Sequence, residues 1–178
     1  MIITVSGGSG SGKSAIGEKI ALRLQPKNKY YIATMEPFGA EAERRITRHR
    51  AMRAEKNFIT VECPVALISA EIPLASTVLL ECMSNLTANE IFSETGCGLA
   101  NAEKNIFAAI KTLAAKTENL VIITNEIFAD GLSYDQTTLD YIKTLGRLNQ
   151  MLAAISDVYI EAVYSIPVFH KGALPWQL

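Results

Sequence analysis

The sequence predicts an α/β domain whose mostly parallel central sheet is covered by helices on both faces. Short β-branched runs alternate with helical stretches, which is the order that βαβ units produce. The apolar runs are continuous, a pattern typical of strands buried in a parallel sheet. A length of 178 residues suits one domain, and we find no linker or internal repeat. We therefore expect residues 1–178 to form a single domain.

The first half of the chain holds five elements. Residues 2–5 are β-branched and predict a strand, and a glycine-rich loop separates them from a helix over 13–24. The apolar run at 30–33 predicts a second strand. Residues 41–55 have a helical and strongly basic pattern, and 58–61 form a short strand candidate.

The second half continues the alternation. The apolar run at 78–82 predicts a strand that ends in a carboxylate. Apolar residues at helical spacing predict helices over 101–116 and 137–155. Between and after them, the runs at 120–124 and 158–160 predict two further buried strands.

Two segments lie outside these elements. Residues 93–98 are the best candidate for a mobile loop. The last segment, 166–178, contains two prolines and a glycine, so we expect it to be peripheral.

Composition sets limits on partners and compartment. The chain has 17 basic and 18 acidic side chains, so its charge gives no indication of a nucleic-acid partner, and we expect none. No apolar run approaches the roughly 18 residues of a membrane span, and no signal-peptide pattern is present. The cysteines Cys63, Cys82 and Cys97 form no CxxC pair, which favours reduced thiols in a cytoplasmic protein.

The strongest motif follows the first strand and opens the first helix. It reads Gly7-Gly8-Ser9-Gly10-Ser11-Gly12-Lys13-Ser14, which matches the P-loop pattern GxxxxGK[ST] in the context that the pattern requires. Glycines allow successive N–H groups to point at phosphate oxygens, and the helix N-terminus adds further donors. Lys13 supplies a charge for the β- and γ-phosphates, and the Ser14 hydroxyl is placed to bind Mg²⁺. The sequence thus predicts a P-loop NTPase-like fold that binds GTP or ATP.

A second segment combines basic side chains with a histidine. Residues 44–53 hold five arginines and one histidine, and Arg45, His49 and Arg53 share one helical face. Such a face can bind polyphosphate, with His49 as a nucleophile toward phosphorus. A solvated basic helix with a surface histidine explains the same spacing. An RNA-binding helix is a third interpretation, which the lack of neighbouring aromatic residues disfavours.

Carboxylates follow three of the predicted strands. Glu81 ends the run at 78–82, where an acidic residue near Mg²⁺ is expected, and Glu126 follows the run at 120–124. Glu62 follows the short strand at 58–61. A glutamate carboxylate suits guanine, which presents two adjacent hydrogen-bond donors. Each glutamate taken alone is equally consistent with a surface position or an ion pair.

With these segments in view, the chain resembles the bifunctional adenosylcobinamide kinase / adenosylcobinamide-phosphate guanylyltransferase family of cobalamin biosynthesis. The arginine-histidine segment followed by TVECP is the most specific part of the resemblance. The matching stretches run in the family's order over nearly the whole chain: GGSGSGKS, YIAT, RITRHRAMR, TVECP, LLEC, ITNE and GRLNQMLAAISDVYI.

The resemblance implies two reactions and a set of site residues. One reaction phosphorylates adenosylcobinamide, and the other transfers GMP from GTP to the resulting phosphate through a guanylylated histidine, here His49. The resemblance implies that His49 is catalytic, and the motifs described above add Lys13 as a catalytic residue and Ser14 and Glu81 as ligands for Mg²⁺. Nucleotide contacts carry over to Gly7, Gly8, Ser9, Gly10, Ser11, Gly12, Lys13, Ser14, Ala33, Thr34, Met35, Arg50, Ala51, Met52, Arg53, Glu62 and Glu81. A homotrimer is implied as well.

Two other functions remain open at this point. A P-loop kinase of another small molecule, with a structural His49, predicts γ-phosphate transfer and no covalent GMP. A GTP-binding protein with impaired catalysis predicts binding without turnover.

Overall fold

The computed structural model describes residues 1–24, 28–36, 56–128 and 131–178. These residues form a seven-stranded sheet with the order β3-β2-β4-β5-β1-β6-β7. Strands β1 to β6 are parallel to their neighbours, and β7 is antiparallel to β6. The strands are β1 (Ile2–Ser6), β2 (Lys29–Ala33), β3 (Ile59–Glu62), β4 (Thr77–Glu81), β5 (Asn119–Ile123), β6 (Val158–Val163) and β7 (Ile166–Lys171). The mostly parallel sheet predicted from the sequence is confirmed.

Helices lie between the strands of the described ranges. They are α1 (Lys13–Arg23), α2 (Met83–Phe92), α3 (Leu99–Lys116) and α4 (Gln136–Ile155), with a short 3₁₀ helix at Leu67–Ser69. The helix predicted over residues 41–55 falls outside the described residues. None of the helices in the described ranges has both the length and the apolar character that crossing a bilayer requires.

Alternate strand residues point to two separate cores. Leu80 and Ile122 belong to a core that α2, α3 and α4 cover on one face of the sheet. Leu79 and Ile123 point the other way, into a core formed with α1 and the C-terminal tail. The continuous apolar runs are explained by this arrangement, because both faces of the central strands are covered.

Two regions differ from the sequence expectation. Helix α2 was not predicted, because its buried residues include Ser84, Thr87 and Glu90, which blur the apolar period. Residues 166–178 lie at the periphery, as expected, but they include a strand that the sequence did not predict: residues 166–171 form the mostly exposed β7, and Leu174 is buried in the α1 core. Pro167 is compatible with β7 because this strand lies at the edge of the sheet.

The loop at 93–98, predicted to be mobile, is held by hydrogen bonds. The Gly98 N–H donates to the Glu90 carbonyl at 2.8 Å. The buried Glu90 carboxylate accepts from the Cys97 N–H at 3.0 Å and from the Ala66 N–H at 2.7 Å. Glu90 thus satisfies backbone donors in two loops at once, which offsets the cost of its burial.

Candidate active site

The P-loop crosses the carboxyl end of β1 and leads directly into α1. A Cβ atom on Gly7 would lie 2.8 Å from the Ala162 backbone carbonyl oxygen, so a larger residue does not fit there. Gly12 has a φ of 90° and forms the N-cap of α1. No side chain caps this helix end, and its first turn contains no acidic residue. The free N–H groups therefore remain available to an anion.

Lys13 extends across the mouth of this loop. Its Nζ donates to the Gly8 carbonyl at 3.1 Å. Burial lowers the pKa of the Lys13 ammonium below its usual value, while the nearby Glu81 carboxylate acts in the opposite direction. Burial removes water from this ammonium, so a bound phosphate would supply the interactions that it lacks.

Ser14 and Glu81 meet beside the loop. The Ser14 hydroxyl donates to one carboxylate oxygen of Glu81. The buried Tyr31 donates its hydroxyl to the other oxygen at 2.8 Å, and the Phe58 ring packs edge-on against Tyr31 with centroids 6.2 Å apart. Sequence reasoning did not identify Tyr31 as a site residue. Its role is to hold the Glu81 carboxylate in a fixed orientation.

This pair has the chemistry of a magnesium site. Mg²⁺ takes oxygen ligands and is commonly bound by one or two protein groups together with substrate phosphates and water. A serine hydroxyl and an adjacent carboxylate beside a phosphate-binding loop fit that requirement. The described residues contain no cluster of three or more His, Cys, Asp or Glu side chains suited to a metal. The assignment of Ser14 and Glu81 as metal ligands stays a prediction.

Three predicted nucleotide contacts lie in register along the carboxyl edge of the sheet. Ala33 of β2 pairs with Glu62 of β3 on one side and with Glu81 of β4 on the other. Two strand spacings, about 10 Å, therefore separate the two glutamate backbones. Thr34 and Met35 continue from Ala33 at the same edge.

Thr34 joins the segments that follow β2 and β4. Its hydroxyl donates to the Cys82 carbonyl at 2.8 Å and accepts from the Cys82 N–H at 2.7 Å. The Asn89 amide of α2 donates to the carbonyls of Thr34 and Pro64, at 2.8 and 2.9 Å. These bonds fix the backbone that follows β2, β3 and β4. Sequence reasoning missed Asn89, since it lies on the unpredicted helix.

In the sheet, β5 lies between β1, which leads into the P-loop, and β4, which ends in Glu81. Polar residues follow β5. The Thr124 hydroxyl donates to the Asn149 amide oxygen at 2.6 Å, and Asn149 donates to the Asn125 carbonyl at 3.1 Å. The Asn125 amide donates to the Ser84 hydroxyl at 2.6 Å. Its Oδ1 atom is buried and has no hydrogen-bond partner among the described residues. Asn125 thus offers an acceptor between the two halves of the site.

The groups beside Asn125 are neutral at ordinary pH. Burial raises the pKa of the Cys82 thiol, and it raises the pKa of Tyr141 to about 12. The Tyr141 hydroxyl is placed to donate to the Ser84 carbonyl at 3.4 Å. The carboxyl group at the end of β4 is that of Glu81, and its electrostatic effect raises the pKa of Lys13.

A cavity of about 850 Å³ opens next to the P-loop, on the face of the sheet opposite α1. Ser6 and Glu126 lie at its loop end, and the Glu126 N–H donates to the Gly7 carbonyl at 3.0 Å. Helix α4 forms one wall through Gly146, and β6 forms another through Tyr159 and Glu161. The cavity therefore communicates with the carboxyl edge of the sheet.

Five of the predicted site residues lie outside the described residues. They are His49, Arg50, Ala51, Met52 and Arg53. The described residues on either side of that segment are anchored to the domain: Glu36 accepts a hydrogen bond from Ser93, and Lys56 pairs with the buried Glu18 of α1. The other predicted residues lie along the P-loop and the ends of β2, β3 and β4.

Comparison with known proteins agrees with this geometry. The family model described as cobinamide kinase / cobinamide phosphate guanyltransferase matches residues 3–169 of the chain. No protein of curated function matches the chain at a significant level.

Two solved structures share the fold. The flagellar accessory protein FlaH from Methanocaldococcus jannaschii is similar with a TM-score of 0.53 and 10% identity, over 96% of this chain and 78% of that chain. A protein from Pyrococcus horikoshii OT3 is similar with a TM-score of 0.51 and 9% identity, over 98% of this chain and 87% of that chain. At these identities the likeness concerns the fold alone. The fold is P-loop NTPase-like, as the sequence predicted.

Proposed function

Because the chain belongs to the cobinamide kinase / cobinamide phosphate guanyltransferase family, we propose that it phosphorylates adenosylcobinamide with GTP or ATP and then transfers GMP from GTP to the product. The second reaction gives adenosyl-GDP-cobinamide and pyrophosphate. The observation that carries the proposal is the contact between Ser14 and Glu81 at the side of an uncapped P-loop helix.

The nucleotide's phosphates would bind to the P-loop, residues 7–14. The N–H groups at the start of α1 and the Lys13 ammonium offset their charge. Ser14 and Glu81 would hold Mg²⁺, which when bound neutralises charge on the β- and γ-phosphates. Tyr31 keeps the Glu81 carboxylate in place through its hydrogen bond.

In the kinase reaction the acceptor hydroxyl attacks the γ-phosphorus. A new P–O bond forms, the bond from the γ-phosphorus to the β,γ-bridging oxygen breaks, the nucleoside diphosphate leaves, and the hydroxyl proton is released to solvent. Lys13 offsets the charge that develops on the leaving oxygen. The 850 Å³ cavity beside Ser6 and Glu126 is our candidate for the acceptor, since it is large and opens next to the loop.

In the guanylyl transfer a ring nitrogen of His49 attacks the α-phosphorus of GTP. A P–N bond forms, the bond from the α-phosphorus to the α,β-bridging oxygen breaks, and pyrophosphate leaves. An oxygen of adenosylcobinamide phosphate then attacks the same phosphorus and releases the histidine. Glu62 and Arg50 to Arg53 are proposed nucleotide contacts, with Glu62 a candidate for guanine. A cytoplasmic homotrimer is part of the same proposal.

The covalent GMP–histidine intermediate proposed for His49 can be tested by labelling. Incubation with GTP labelled at the α-phosphorus, without acceptor, should leave label on the protein that acid removes and alkali does not, because a P–N bond is labile to acid. The His49→Ala variant should carry no label. Labelled protein is separated by denaturing electrophoresis and counted before and after acid treatment.

The second histidine supplies a matched control. His170 lies on β7 and pairs with Glu161 at 2.8 Å. His170→Ala should retain the label at the wild-type level. Label that persists in His49→Ala contradicts the assignment of the nucleophile. Transfer of γ-phosphate without any covalent label, in the wild type, favours a kinase without guanylyl transfer.

A further inference from the structure

One carboxylate beside the P-loop has no part in the reactions described so far. It belongs to Glu126, which follows β5. The hydrogen bonding between β5 and β1 continues past both strands: the Thr124 N–H donates to the Val5 carbonyl at 3.0 Å. Two residues later, the Glu126 N–H donates to the Gly7 carbonyl at 3.0 Å. The Glu126 backbone is thereby fixed one strand spacing, about 5 Å, from the first residue of the P-loop.

The Glu126 side chain extends to the face of the sheet that α4 covers. Side chains alternate along a strand, and both Ile122 and Thr124 lie on this face. Ile122 packs in the core beneath α2, α3 and α4, and Thr124 bonds to Asn149 of α4. Glu126 continues the alternation and lines the 850 Å³ cavity together with Ser6. Its carboxylate therefore faces the space proposed for the acceptor.

A neighbouring phenol agrees with this position of the carboxylate. Tyr159 lies on β6 and lines the same cavity. Burial raises the pKa of the Tyr159 phenol, and the negative charges of Glu126 and Glu161 add to that effect. Such an effect requires charges at short range, so the Glu126 carboxylate lies on the cavity side of the P-loop.

The cavity wall carries a second carboxylate, but that one has a partner. Glu161 pairs with His170 at 2.8 Å. Glu126 is exposed and belongs to none of the ion pairs found among the described residues. Of the two carboxylates in the cavity wall, Glu126 is thus the one whose oxygens are available to a substrate.

We propose that Glu126 is the general base of the kinase reaction. Its carboxylate accepts the proton of the acceptor hydroxyl while the hydroxyl oxygen bonds to the γ-phosphorus and the bond to the β,γ-bridging oxygen breaks. Because Glu126 is exposed, it then releases this proton to solvent. The inference rests on the kinase reaction and the acceptor cavity of the proposed function.

The two proposed reactions differ in their need for a base. The acceptor in the kinase reaction is a neutral hydroxyl, which must lose a proton. The acceptor in guanylyl transfer is a phosphate, whose oxygens already carry negative charge at neutral pH. Attack of His49 on GTP does not involve the acceptor at all. Loss of the Glu126 carboxylate should therefore slow the kinase reaction alone.

The Glu126→Gln variant tests this difference, because glutamine keeps the size of the side chain and cannot take up the proton. With adenosylcobinamide and GTP or ATP, we expect kcat for phosphorylation to fall about a hundredfold while KM for adenosylcobinamide stays at the wild-type value. With adenosylcobinamide phosphate and GTP, the variant should form adenosyl-GDP-cobinamide at the wild-type rate. Covalent labelling by α-labelled GTP should also match the wild type.

Glu118 provides a matched control at the other end of the same strand. It is exposed and directly precedes β5, at the amino edge of the sheet. Glu118→Gln removes the same charge and should leave both reactions unchanged.

Several results would overturn the proposal. Phosphorylation by Glu126→Gln at the wild-type rate would place the base elsewhere. A higher KM with an unchanged kcat would make Glu126 a binding contact only. An equal loss of both reactions would make it a support of the P-loop. If the wild type itself leaves adenosylcobinamide unphosphorylated, the proposed kinase reaction fails, and the role of Glu126 fails with it.

Discussion

The Lys13→Ala variant should lose both the kinase and the guanylyltransferase activity, each by about a thousandfold. The structure places the Lys13 ammonium across the mouth of the P-loop, where its nearest hydrogen-bond partner is the Gly8 carbonyl. The ammonium is partly buried, and this burial lowers its pKa below the usual value. Its charge is therefore effective at short range toward phosphate. Both proposed reactions expel an oxygen of the polyphosphate, and both should depend on this charge. Steady-state rates with saturating nucleotide measure the effect.

Lys19 provides the control for this experiment. It lies on the same helix, α1, and its side chain is exposed. Lys19→Ala changes net charge by the same amount and should keep both activities within about twofold of the wild type, as exposed single charges contribute little. If either activity of Lys13→Ala stays near the wild-type rate, the two reactions do not share this nucleotide site.

The Glu81→Gln variant should need a much higher Mg²⁺ concentration and should turn over about a hundredfold more slowly. Glutamine has the size of glutamate and can keep the hydrogen bonds with Ser14 and Tyr31, so the local packing is preserved. The negative charge that would attract the metal is removed. Measuring the rate against Mg²⁺ concentration separates the shift in metal dependence from the fall in maximal rate.

Glu71→Gln is the control for this variant, because it removes the same charge at another position. It is exposed and lies in the loop before the amino end of β4, at the opposite edge of the sheet from Glu81. Glu71→Gln should leave the Mg²⁺ dependence unchanged. A Glu81→Gln variant with the wild-type Mg²⁺ dependence would show that Glu81 is not part of the metal site.

Much of the fold could be predicted because the apolar pattern of each segment matches the position of that segment in the folded sheet. Residues 78–82 and 120–124 are continuous apolar runs, and they became the central strands β4 and β5. Helix α2 gave no such signal because several of its buried side chains are polar. Thr87, for example, donates its hydroxyl to the Met83 carbonyl one turn earlier, at 2.7 Å. Its burial depends on tertiary contacts that the sequence does not display.

The candidate site also has one part that the sequence could predict and another part that it could not. The P-loop is a local motif, and its position between a strand and a helix could be predicted. Tyr31 lies 50 residues from Glu81, so its hydrogen bond to that carboxylate depends on the pairing of β2 with β4. The contact of Ser165 with Ser11 likewise spans most of the chain, since β6 pairs with β1. Such pairings follow from the strand order, which the sequence pattern did not specify.

The identity of the products distinguishes most directly between the two proposed reactions and their absence. The protein is incubated with GTP, Mg²⁺ and adenosylcobinamide, and the corrinoids are separated and identified by mass. We predict adenosylcobinamide phosphate first, followed by adenosyl-GDP-cobinamide with one pyrophosphate for each molecule formed. A reaction that stops at the phosphate would contradict the guanylyl transfer, and corrinoid recovered unchanged beside bound GTP would contradict both reactions.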